Sequence, residues 1–292
     1  MTHGPALATA VANMPVGFLV AALAAQLLVV ALRIEAWREC LLSAGAKLPR
    51  KTLYCAGSCA APLGLINMQL AAGTKIGILR KLAPERSPEV MALCAAELPI
   101  WGAEVAIGAA LLLFAAPALG LPWFAAPAGL LLIGAALYLL AQTGLRSHKK
   151  FAAGLRVLTD SKRAPRLWAL LSVVTLAQVA RIWLLLMAAG LGASPMDAAA
   201  VLVGQGLLSQ LPIGGAGASG ASVMIIGSGS ASALAAAGLA LTATELTAAF
   251  FFLSWSLTVV IPLLFSSDRA TRLAGHVTDK SLETPITAVS IN

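Results

Sequence analysis

Charge is scarce in this chain. Only 11% of its 292 residues are Asp, Glu, Lys or Arg, against about a quarter in an ordinary globular domain. Residues 17–32, 107–142 and 246–267 carry none at all. That distribution excludes a conventional water-soluble fold. Apolar runs of about 20 residues instead match a hydrocarbon layer of about 30 Å, and the mean hydropathy is +0.89. The polar stretches between the runs are each under about 30 residues, too short to bury a core of their own. The expected organisation is one integral membrane domain over residues 1–270. A polar tail, expected to be cytoplasmic and disordered, follows over 271–292.

Other scarcities narrow the chemistry. No Lys or Arg precedes the first apolar run, and that run is too long for the core of a signal peptide, so it reads as the first helix. The four cysteines, Cys40, Cys55, Cys59 and Cys94, lack metal-ligand spacing. Cys55 and Cys59 fall on one helix face, where the expected role is small apolar packing rather than ligation or a disulfide. The three histidines, His3, His148 and His276, sit in polar ends or loops, away from any spaced set of carboxylates or thiols. No metal, cofactor or catalytic nucleophile is expected.

The charge that is present is mostly positive: 20 Lys and Arg against 12 Asp and Glu, a net +8. In a soluble protein this excess would point to nucleic acid. Here the basic residues flank apolar runs, which is the pattern of cytoplasmic loops, and no nucleic-acid partner is expected. Arg33, Arg38, Lys47, Arg50 and Lys51 form one group. Lys75, Arg80, Lys81 and Arg86 form a second, and residues 146–166 hold the largest. Residues 117–122, 190–197 and 214–230 have neither Lys nor Arg.

A topology follows from these positions. The first helix, about 14–33, runs from outside to inside. The segment 52–72 has basic clusters at both ends and contains Pro62, Gly64, Asn67, Gln69 and Gly73, so it reads as a hairpin that enters and leaves on one side. Non-helical backbone at membrane depth is tolerated only when protein or a wet cavity covers it. The chain then crosses outward (88–116), inward (123–143) and outward (167–190). Residues 198–230, broken at Pro212 and again at 227–230, read as a second hairpin entering from the opposite side. The last helix, 236–265, returns inside. The expected fold is therefore an all-α polytopic membrane protein. It has about five spanning helices and two opposed re-entrant hairpins in an inverted repeat, an organisation common among transporters. Faint echoes accompany it: Arg33-Ile34 precedes Gly45-Ala46 and Pro49, and Arg181-Ile182 precedes Gly192-Ala193 and Pro195.

A charge in a spanning helix costs roughly 2.5–3.5 kcal/mol on insertion scales, so it usually faces the bundle interior and has a role. Glu97 and Glu104, seven residues apart on one face, Arg181 with Gln178 one turn before it, and Glu245 all qualify. Either they line a polar cavity in which Arg181 meets an anionic group such as a phosphate, or Arg181 pairs with one of the glutamates to neutralise buried charge. Glu97 also has an interfacial reading, because Leu98-Pro99 can kink the helix there. The glycines Gly214, Gly215 and Gly217 either open broken-helix N–H groups to an anionic headgroup or allow close helix packing. Lys75 either receives a lipid phosphate or anchors the hairpin at the interface. The basic loop 146–166 would attract anionic lipid or serve only to fix topology.

Three stretches resemble a known family. Arg33-Ile34-Glu35-Ala36-Trp37-Arg38, the run Asn67-Met68-Gln69-Leu70-Ala71-Ala72-Gly73-Thr74-Lys75, and Leu208-Ser209-Gln210-Leu211-Pro212-Ile213-Gly214-Gly215-Ala216-Gly217 together look like the transmembrane domain of lysylphosphatidylglycerol synthase/flippase proteins. The likeness spans roughly residues 15–265. Ser219-Gly220 stands where that family often has Arg-Glu, and Glu245 where it often has Arg. The resemblance implies translocation of a lipid or lipid-linked glycan without the aminoacyl-transferase half. The polar residues at membrane depth and the breaks beside them make Arg181, Glu97, Glu104, Glu245, Lys75, Asn67, Gln178, Gly214, Gly215 and Gly217 the candidate substrate-binding residues.

The leading expectation is thus a flippase for an anionic lipid or polyprenyl-linked envelope precursor, multi-pass in a bacterial inner membrane with its C-terminus cytoplasmic. Membrane lipids are the expected partners, with an envelope glycosyltransferase or synthase, or a second copy of the chain, as further ones. Two alternatives stand beside it: a membrane-embedded enzyme acting on lipid headgroups with Glu97 and Glu104 as acid and base, and a non-catalytic subunit of an envelope-biosynthesis complex.

Overall fold

A computed structural model describes residues 3–84, 87–115, 156–158, 160–209, 214–226 and 229–281. The expected crossing at 123–143 lies outside the described residues, as does most of the basic loop at 146–166. Among the described residues the chain is helical, with no strand. Its helices are α1 (His3–Ala12), α2 (Val16–Ser43), α3 (Arg50–Gly64), α4 (Met68–Leu82), α5 (Val90–Ala95), α6 (Leu98–Ala115), α7 (Arg163–Ala188), α8 (Pro195–Leu208), α9 (Gly214–Ser222) and α10 (Ala231–Ser281).

Four segments are long and apolar enough to cross a membrane: Val16–Ser43, Val90–Leu113, Arg163–Ala188 and Ala231–Val259. They correspond to four of the five crossings expected from sequence. Large apolar side chains lie exposed along them, among them Val16 and Val20 on α2, Leu176 on α7, and Phe250 and Phe251 on α10. In water such surface is a liability; against lipid it is the normal outside of a bundle. The interior is rich in alanine, with Ala22, Ala36, Ala56, Ala198, Ala218, Ala236 and Ala248 each at 1% exposure or less. Small residues let helices approach closely where lipid supplies no hydrophobic drive for association.

Three boundaries differ from the sequence reading. The first crossing does not stop at residue 33 but continues to Ser43, since Arg33, Glu35, Arg38 and Glu39 all find ionic partners along its last turns. The third segment breaks at Ala96 and Glu97 into α5 and α6. Pro99, in the first turn of α6, has no N–H to offer a continuous helix. The last helix extends to Ser281, so its final turns overlap the expected tail.

α3 and α4 form a tight antiparallel pair turning at Leu65–Asn67. Each has 15 residues, about 22 Å of helix, and α8 with 14 is about 21 Å. Neither length covers a bilayer core of about 30 Å. Asn67 caps α4, its Oδ1 accepting from Gln69 N–H at 2.7 Å and Leu70 N–H at 3.3 Å.

The packing is reciprocal. Among the described residues, α2 and α7 form the most extensive helix contact; α3 lies against α10, and α8 lies against α6; α2 touches α10, and α7 touches α6. The ends of α2 and α7 also match. After Ser43, the N–H of Gly45 bonds to the Leu42 carbonyl and that of Ala46 to the Leu41 carbonyl; after Ala188, Gly190 bonds to Met187 and Leu191 to Leu186. Both are Schellman closures. Gly45 and Gly190 sit at φ 88° and 73°, a region that a side chain disfavours. These closures align the two stretches at an offset of 190 − 45 = 145 residues. The Arg33/Arg181 echo implies 181 − 33 = 148, so the two arginines lie one helical turn apart in the structural register.

Candidate functional site

The start of α9 meets the turn between α3 and α4. Gly215, near the start of α9, packs on the α3/α4 turn so closely that a Cβ there would lie 3.0 Å from the Gly64 carbonyl oxygen. Ala216 N–H donates to the Leu65 carbonyl at 3.1 Å. Of the two sequence readings for the glycine-rich stretch, close packing is therefore the one this contact satisfies. Gly214 begins α9, and Gly217 is exposed one turn on.

One turn behind this contact lies a buried polar cluster. Arg181, 1% exposed in mid-α7, donates from Nη2 to Glu245 Oε1 at 2.9 Å and from Nη1 to Gln26 Oε1. Gln205 Nε2 donates to the same Glu245 oxygen at 3.0 Å and to Ser219 Oγ at 2.6 Å. Ser219 Oγ in turn lies within donating distance of Glu245 Oε2 (2.8 Å) and of the Gly215 carbonyl (3.0 Å). The cluster thus draws on α2, α7, α8, α9 and α10, and it joins Glu245 to the residue at the turn contact through Ser219.

The ion pair is what a low-dielectric interior demands, since either charge alone would carry several kcal/mol of desolvation. Yet the cluster is incomplete. Arg181 Nε and Gln205 Oε1, one donor and one acceptor, are buried without a hydrogen-bond partner among the described residues. Each unmet group of this kind costs about 1–3 kcal/mol.

A second charged group lies two turns further along α2, on the face that carries Gln26. Arg33 forms a bidentate pair with Glu104, Nε to Oε1 at 2.7 Å and Nη2 to Oε2 at 2.6 Å. Lys75 Nζ donates to Glu97 Oε1 at 2.6 Å and sits 4.9 Å above the ring centre of Trp37, a cation–π distance.

The structure sorts the sequence candidates. It joins Arg181 to Glu245. Glu97, in the break before α6, holds Lys75, and Glu104, within α6, holds Arg33. Asn67 is a helix cap. The Gln178 side chain makes no hydrogen bond among the described residues. Gln26, Gln205, Ser219 and Arg33 were not singled out as site residues. The signal for the first two was present: each is an amide inside an apolar stretch, where a polar group without a partner is costly. Arg33 was hidden among the basic residues that mark a helix end. Comparison with known proteins finds no match to any family model, any curated protein or any solved structure.

Proposed function

We propose that the chain translocates an anionic lipid or a polyprenyl-phosphate-linked envelope precursor across a bacterial inner membrane, with its C-terminus cytoplasmic. One observation carries this reading: a buried arginine in an incompletely paired cluster, directly behind the point where two non-spanning helix pairs meet. The reciprocal packing of α3 on α10 and α8 on α6 supports two opposed re-entrant hairpins in an inverted repeat, with the cluster at the junction of the halves. Transporters of that kind bind substrate at this level and alternate access by rocking one half against the other.

The chemistry is an exchange of partners. A phosphate oxygen reaching Arg181 replaces Glu245 on the guanidinium, and a guanidinium holds phosphate well because its N–H groups form a planar fork. Glu245 then keeps Gln205 and Ser219 as donors, which limits the cost of its release. Access requires the turns to part, and the Ala216–Leu65 hydrogen bond is the backbone contact that must open. Lys75 and Arg33, each already held by a glutamate, offer a second pair of cations closer to the basic end of the molecule. An envelope glycosyltransferase or synthase remains the natural partner for such a carrier.

The test uses Arg181→Leu combined with Glu245→Leu, which removes the pair without leaving a charge stranded. In proteoliposomes, the double variant is expected to fold with a Tm near that of the parent and to lose translocation of a fluorescent phosphatidylglycerol or polyprenyl phosphate. Translocation at the parental rate would remove Arg181 from the path and leave the cluster as a structural pair.

A further inference from the structure

An open groove of about 590 Å³ runs between α2, the start of α7 and the start of α3, well away from Glu245. Its lining is graded along one direction. Arg38, Arg50 and Arg166 stand at one end with Glu35 and Glu39. Leu32, Leu170 and Val173 continue it, one to two helical turns further along α2 and α7. Val173 is 45% exposed, so the apolar end faces outward rather than into the bundle.

The charges at the polar end do not cancel. Glu35 is shared by Arg38 at 3.1 Å and Arg50 at 3.3 Å, and Glu39 is held by Arg163 at 3.3 Å. Arg163 is held in turn by Asp160 at 3.3 Å, so these three arginines meet three carboxylates. Arg166 supplies the surplus: it is exposed and without an ion pair among the described residues. Arg50 is moreover the first residue of α3, whose N-terminus has no side-chain cap, so the positive end of that helix adds to the field. A groove with surplus arginine charge at its mouth and an apolar floor that continues along the spanning helices has the polarity of a single phospholipid. A soluble anion would use only the arginines; a neutral lipid would use only the floor.

We propose that this groove binds one anionic phospholipid, its phosphate on Arg166 and Arg50 and its upper acyl chain along Leu32, Leu170 and Val173. The site is distinct from the Arg181 cluster, and it stands whether or not the protein translocates anything. By clamping α2 to α7, the most extensively packed pair among the described residues, the lipid would tie the stability of the bundle to membrane composition.

Full-length protein in neutral detergent is titrated with dioleoyl phosphatidylglycerol, dioleoyl phosphatidylcholine or glycerol 3-phosphate, reading Tm and, by native mass spectrometry, bound lipid. Phosphatidylglycerol alone is expected to raise Tm and be retained one per chain, less so at high salt, where exposed charges are screened. Arg166→Ala breaks no ion pair or side-chain hydrogen bond among the described residues and is expected to fold normally. Loss of one interfacial arginine is worth about a five-fold weakening for phosphatidylglycerol. Leu170→Trp, which fills the floor, is expected to abolish retention, while Arg80→Ala, an exposed arginine outside the groove, changes nothing. Equal effects of phosphatidylcholine overturn the proposal. So do a full effect of glycerol 3-phosphate alone, parental affinity in Arg166→Ala, or an equal loss in Arg80→Ala.

Discussion

At the scale of single residues, the question is what one buried arginine requires. Arg181 at 1% exposure demands a counter-charge, and Glu245 at 2.9 Å supplies it. Arg181→Leu alone leaves Glu245 charged and unpaired, which is expected to cost about 3–5 kcal/mol. The double replacement Arg181→Leu/Glu245→Leu is expected to recover most of that loss. A double-mutant cycle in detergent unfolding measures the coupling; additive effects would mean the pair is broken in the folded protein. Arg181 and Glu245 were legible in the sequence because a charge in an apolar run is rare and needs a reason. Their pairing was legible only as one of two readings, because nothing in the sequence places residue 181 beside residue 245. Gln26 and Ser219 were harder still: a single amide or hydroxyl in an alanine-rich helix resembles many others that simply bond back to their own backbone, as Thr175 does to Leu171.

At the scale of elements, helix ends decide what the helices can do. The N-terminus of α7 is organised by Asp160, whose Oδ1 accepts from Lys162 N–H at 3.0 Å and Arg163 N–H at 3.1 Å. The Lys162 backbone bond, then that of Arg163 and the nearby positive charges, hold the Asp160 carboxyl below its usual range. A depressed carboxyl stabilises the fold above its unfolded-state pKa, and that stabilisation is lost as pH falls through the folded-state value. Stability is therefore expected to decline on acidification through the ordinary Asp range and below, and Asp160→Asn, which caps without titrating, should flatten that part of a Tm-against-pH profile. A slope unchanged by Asp160→Asn would assign the acid sensitivity elsewhere. The turn contact gives a second prediction. Gly215→Ala forces a Cβ to 3.0 Å from backbone that cannot rotate away, at an expected cost of about 1–3 kcal/mol, read as a lower Tm. The proline and glycine breaks at 62–67 and 212–217 were visible from composition. That the two breaks touch was not, because a sequence of glycines specifies how near a neighbour can come and not which neighbour comes.

At the scale of the whole molecule, two kinds of information converge on one arrangement. In the topology we propose, the distribution of Lys and Arg puts the start of α3 and the start of α8 on opposite sides of the membrane. Independently, α2 and α7 end in the same hydrogen-bonded closure, and each half lends a short helix to the other, as an isologous interface does when its two partners are alike. The echo between Arg33 and Arg181 pointed to the same pairing of helices but missed the register by one turn, since chemically similar residues on one helix face recur every three or four positions. The arrangement makes a demand on topology that neither the charge nor the packing meets alone. Lys47, exposed just before α3, and Met196, 49% exposed at the start of α8, must face opposite compartments. With Cys40, Cys55, Cys59 and Cys94 replaced, Lys47→Cys is expected to react with a membrane-impermeant maleimide only in inside-out vesicles, and Met196→Cys only in intact spheroplasts. Labelling of both from one side would mean that the halves are parallel. The turns at 65 and 215 would then have to approach from the same face, and the Arg181 cluster behind them would open to one compartment rather than stand between two.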